Sequence, residues 1–176
     1  MKKIILSFLA IVMVVGFSNK VMAQNSDAAT SPALATIVAP IAIVHDGSNL
    51  QFGTIIAGAG WVKVDVAGTR TFEDDAMNPG DQGVTPTAAV FSVSGAPTYT
   101  YSIAFTNTTE VLTFDVSNTM DAGTFIASTA SDAEGLTGTL DGSGDDVLTV
   151  GATLEVTTPL SSGVYTGSFE VTVAYN

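Results

Sequence analysis

The stretch GVYTGSFEVTVAYN, residues 163–176, decides the fold. Tyr165, Gly167, Phe169, Val171, Val173 and Tyr175 fall on one side of a period-2 ribbon, with Thr166, Ser168, Glu170, Thr172 and Ala174 on the other. This alternation belongs to a half-buried β-strand, one face toward a core and one toward water. Chain ends fray unless a sheet holds them, so the pattern predicts one continuous docked strand from 163 to the end. The partner of that strand then decides the function.

Working outward, the same signature recurs at short intervals over 50–56, 61–66, 88–93, 99–105, 111–116, 123–128, 136–140, 147–150 and 153–157. Residues 34–44 are apolar on both sides, as in a strand covered on both faces, and Pro40 confines that segment to an edge or a bulge. Turn formers stand between the runs, among them Gly58 with Gly60, Asn78 with Pro79 and Gly80, Gly95 with Pro97, and Gly142 with Gly144. No segment has a helical period. Many short strands with turn signals between them predict an all-β antiparallel sandwich or barrel. Residues 71–87, rich in acids, glycine and proline, read as an exposed loop.

Met1, Lys2 and Lys3, an apolar run over 4–17 and the small-residue end at Ala23 have the three parts of a secretory signal peptide, residues 1–23. The apolar run is shorter than the roughly 20 residues that cross a bilayer, so no membrane span is expected after cleavage. Residues 24–35 are small and polar and read as a flexible extension, leaving 36–176 as a single domain. Removal of the leader takes Lys2, Lys3 and Lys20, so Lys63 and Arg70 face seventeen acids, a net charge of −15. Such a surface repels phosphate and excludes nucleic acid as a partner. With no cysteine, the domain relies on packing and sheet hydrogen bonds.

Residues able to carry chemistry are few. His45 is the sole histidine and sits at a turn, so no nucleophile has a base, and no catalytic residue is assigned. Asp141, Asp145 and Asp146 place hard oxygen ligands along a glycine-containing loop and are weak candidates for calcium, the one cofactor considered, with a solvated turn as the alternative. Glu73, Asp74 and Asp75 form a second acidic cluster. Trp61 after a glycine-rich turn is either a sugar-stacking platform or a rim residue of the core. Asn107, Thr108 and Thr109 match a glycosylation sequon.

Leu50, Phe52, Gly53 and Ile55, then Val150, Gly151, Thr153, Leu154 and Val156, then the alternation from Gly163 to Tyr175 resemble a bacterial exported family catalogued as a domain of unknown function. That family is similar to the major subunits of Mat/Ecp-type fimbriae and, more distantly, to spore-coat-protein-U-like and chaperone-usher pilins. In chaperone-usher pilins a glycine fourteenth from the end and a penultimate tyrosine mark the strand gripped by a periplasmic chaperone; Gly163 and Tyr175 occupy those places here.

The resemblance implies an immunoglobulin-like Greek-key sandwich, pilin-like, that lacks one strand. Gly163, Phe169, Val171, Val173 and Tyr175 would border the open groove, filled first by the chaperone and then, beyond an usher, by a neighbouring subunit through strand addition. Head-to-tail contacts of that kind build filaments, giving a structural or adhesive subunit of the cell surface with no catalysis. The donor would have to borrow Ile37, Ile41 and Ile43, because residues 24–35 offer little apolar alternation. Those isoleucines could instead form the first strand of a self-complete sandwich, a secreted module binding a glycan or calcium.

Overall fold

The structure, a computed structural model, describes residues 26–74, 77–80 and 82–176, and the signal peptide expected over residues 1–23 lies outside them. Residues 26–36 belong to a unit of their own and carry no regular secondary structure. Residues 37–176 form the second unit, in which ten strands follow one another: β1 Ala42–His45, β2 Gly60–Val64, β3 Arg70–Phe72, β4 Ala89–Ser94, β5 Thr100–Phe105, β6 Thr109–Asp115, β7 Asn118–Ser128, β8 Thr137–Thr139, β9 Asp145–Val156 and β10 Val171–Tyr175. No described residue lies in an α-helix, so no helix there is long and apolar enough to cross a membrane.

All strand pairs are antiparallel. Seven strands make one sheet, with β9 at its centre, and β10, β5 and β8 make the other, a sandwich-like arrangement compatible with an immunoglobulin-like fold. Asp146, Leu148, Val150, Ala152, Leu154 and Val156 alternate along β9 and are all buried, which fixes its inner face. Val62 and Val64 complete one core cluster with Leu154 and Phe52, while Leu148 and Val150 meet Tyr101 and Ile103 of the opposite sheet in a second.

Several expectations are corrected by long-range contacts. The runs over 147–150 and 153–157 are a single strand, β9. Gly151 does not end it; it marks the point where β9 exchanges β4 for β2 along one flank, and a Cβ there would run into the Val64 carbonyl. Residues 50–56 form no strand beyond a bridge from Gln51 to Thr87. The Arg70 guanidinium donates from Nη1 to the carbonyls of Phe52 at 3.0 Å and Thr54 at 2.8 Å, taking acceptors a ladder would have used.

Residues 71–87 are not simply an exposed loop, because β3 begins at Arg70 and Met77 is buried in the first core cluster. The apolar run over 34–44 yields only β1, past Pro40. The terminal ribbon is broken in two. Thr166 pairs with Thr113 of β6, and only residues 171–175 join β5. Gly163 and Gly167 allow this crossing, since a Cβ on Gly163 would enter the Phe114 ring and one on Gly167 would lie 2.7 Å from the Val111 carbonyl.

Candidate functional site

Among the described residues β10 has a ladder partner on one side only, β5. Beyond the ends of this ladder the Thr106 N–H donates to the Glu170 carbonyl and the Asn176 N–H to the Thr100 carbonyl, each at 3.2 Å. Antiparallel pairs alternate between bonded and non-bonded, so even-numbered residues of the terminal strand point their backbone groups at β5. Val171, Val173 and Tyr175 therefore turn N–H and C=O the other way, where none has a backbone partner among the described residues. Their side chains, with Phe169, sit half-buried against the second core cluster.

The edge of the facing sheet repeats this arrangement. The Asp46 N–H donates to the Val90 carbonyl at 2.9 Å, so by the same alternation Ile43 and His45 of β1 aim their backbone groups away from β4. β1 touches β10, yet no ladder joins them. Natural edges are commonly blunted by lysine, proline or a bulge. Residues 171–175 contain none of the three.

Below this edge runs a row of rings: His45, Phe91, Phe169, Phe125 and Phe105, with successive centroids 5.4, 6.1, 5.1 and 5.1 Å apart. The alternation of Tyr101, Ile103 and Phe105 marks Phe105 as core-facing, while Phe91 and Phe125 carry no more than the period-2 signal of their strands, and the convergence of all three on Phe169 is tertiary. The Tyr175 hydroxyl accepts from the Ala96 N–H at 2.6 Å and donates to the Ala39 carbonyl at 2.9 Å, pinning the residues before β1 to the β4–β5 turn. Tyr175→Phe is expected to cost about 1–2 kcal/mol, by orphaning the Ala96 amide, and to speed its hydrogen exchange. Wild-type protection at Ala96 in the variant would show that water replaces the hydroxyl without loss.

The profile of a family described as Domain of unknown function (DUF4402) matches residues 41–175. The chain belongs to this family. No curated protein and no solved structure matches the chain. The matched span opens one residue before β1 and closes on the last residue of β10, so both edges lie within the DUF4402 domain.

Within the domain the other sequence candidates scatter. Ile43 lies in β1 and Ile41 just before it, both packed on the second core cluster, whereas Ile37 is 95% exposed. Gly163 lies away from the β10 edge, against Phe114. Asp141 Oδ1 accepts from the amides of Ser143 at 2.7 Å and Asp145 at 2.9 Å, tightening the turn that Gly144, at φ +91°, reverses. Asp146 is held by the Tyr101 hydroxyl at 2.9 Å, and among the described residues no three acidic or histidine side chains gather to hold a metal. His45 Nε2 stands 2.9 Å from the Ser48 carbonyl. Asn107 donates to Glu110 at 2.9 Å.

The Asp145 amide first, then that of Ser143, holds the Asp141 carboxyl below its ordinary value of 3.8. Asp115 is lowered too, first by the Asn118 side chain. A carboxyl depressed in the folded state contributes stability above its unfolded pKa and loses it as pH falls through the folded one. Acidification below about 3.8 is thus expected to loosen the 141–145 and 115–118 turns ahead of the sheet core. Amide chemical shifts of Ser143 and Ser117 followed against pH check this; shifts that titrate only at or above 3.8 would contradict it.

Proposed function

We propose that the chain is an exported structural or adhesive subunit of a fimbria-like surface assembly, built by adding a strand from another polypeptide to the β10 edge. The observation that carries this reading is the row of outward N–H and C=O groups on Val171, Val173 and Tyr175 above a half-buried apolar face. An added strand would pair those groups and cover that face in one step. The leader-like residues 1–23 support passage through the periplasm, with a chaperone guarding the edge and an usher releasing it. On this reading the domain performs no catalysis.

For a donor, Ile37 is free to leave its own molecule, but Ile41 and Ile43 would have to abandon the core, and Ile43 its place in β1 as well. Ile43 inside β1 and Ile41 just before it, both packed on the core, favour a second reading, a self-complete secreted module that binds a ligand as a monomer. Electron microscopy of producing cells, with the protein present and deleted, separates the two. Surface filaments that vanish on deletion support assembly; a purified protein that stays monomeric at high concentration, from cells without filaments, supports the module.

A further inference from the structure

The outer face of the seven-stranded sheet carries a second feature, which meets the row of rings below the β10 edge only at Phe105 and Phe125. Trp61 of β2, Glu155 of β9 and Asp121 of β7 stand directly opposite one another across three strands. The next row holds Lys63, Thr153 and Gly123. A cavity of about 600 Å³ opens there, bordered by Asp121, Glu155, Thr153, Gly123 and Phe125, and a smaller one of about 100 Å³ lies on the same two carboxylates. Cavities of roughly 300–1,000 Å³ are of the size that encloses small ligands.

Two carboxylates facing each other across a strand pair repel. Neither Asp121 nor Glu155 has a hydrogen-bond or ion-pair partner among the described residues that would offset this. The groove thus sets two unpartnered acceptors beside the hydroxyl-bearing side chains of Thr108, Thr109 and Thr153, and the ligand it suits brings O–H groups, which both donate and accept. An anion is excluded by charge. Calcium takes about six to eight oxygens, and no third carboxylate converges here among the described residues. Phe125 in the cavity wall is stacked on Phe105 and Phe169, whereas half-buried Trp61, outside the cavity at the end of the row, offers apolar surface suited to the C–H face of a sugar.

We propose that this face binds a neutral carbohydrate, whose hydroxyls donate to Asp121 and Glu155 while its ring packs toward the aromatic margin. Trp61, the sole tryptophan, supplies the signal. The full chain is titrated with cellotetraose, mannotetraose and N-acetylchitotetraose, with spermine and calcium chloride as cationic probes, and its fluorescence is followed. The expected result is a saturable change with at least one tetrasaccharide, with affinity lowered roughly tenfold or more in Asp121→Ala and in Glu155→Ala. Should an alanine variant melt early, Glu155→Gln replaces it and is expected to bind severalfold more weakly. No response to any tetrasaccharide, a response to spermine or calcium alone, or variants that bind like the wild type would overturn the proposal.

Discussion

Val173→Pro is expected to give a folded subunit that no longer assembles. Proline removes a backbone donor, and at residue 173 that donor points away from β5, into the open side of β10. Proline is tolerated in edge strands where its missing N–H would have faced solvent. The intramolecular cost should be about 1–2 kcal/mol, mostly from the half-buried valine side chain. An incoming strand would find a missing donor and a ring in its path. Thr172→Pro, one residue away, has the opposite character: the Thr172 amide faces Ala104 inside the ladder, so the domain itself should lose on the order of 3 kcal/mol. Sedimentation and electron microscopy of both variants read the contrast. Filaments of normal length from Val173→Pro would remove the β10 edge from the assembly mechanism.

Tyr101→Ala should be the most damaging single change to the core. Tyr101 is wholly buried between the sheets, and Gly138 lacks a side chain where the tyrosine ring lies. Its hydroxyl donates at 2.9 Å to Asp146, which is itself buried, at 8% exposure. Burial first, then the hydrogen bond and charge of Asp146, push the phenol far above its ordinary range, so it remains a donor at any working pH. Truncation removes a large side chain at about 3–5 kcal/mol and leaves the carboxylate short of its donor. With a melting shift of roughly 3 °C per kcal/mol for a domain of this size, a fall of about 10 °C or more is expected in calorimetry.

Tyr101→Phe isolates the polar part and should cost about 1–3 kcal/mol. Adding Asp146→Ala to Tyr101→Phe should return some of that loss, because removing both partners leaves no orphan. A Tyr101→Phe protein as stable as the wild type would mean that water reaches Asp146.

Much of the fold was legible before any contact was known. Val62 and Val64 on β2 and Tyr101 and Ile103 on β5 follow from a period of two. The half-buried face of the terminal strand was readable in the same way. What misled were places where distant residues intervene. Arg70 captures carbonyls of a segment that looks like a strand, Met77 buries a segment that looks like a loop, and Phe114 and Val111 receive the glycines of a ribbon that looks continuous. The meeting of Asp121, Glu155 and Trp61 had no local signature at all.

The sequence by itself determined the strand class, the acidic surface and which side chains of residues 169–175 face inward, because alternation depends only on neighbours along the chain. Only the tertiary structure decided that β10 pairs with β5 on one side and with no other described strand on the other, and that β9 carries Glu155 between Trp61 and Asp121. Hydrogen-bond pairing joins segments far apart in the chain, and the vacancy beside a strand depends on where every other strand has gone.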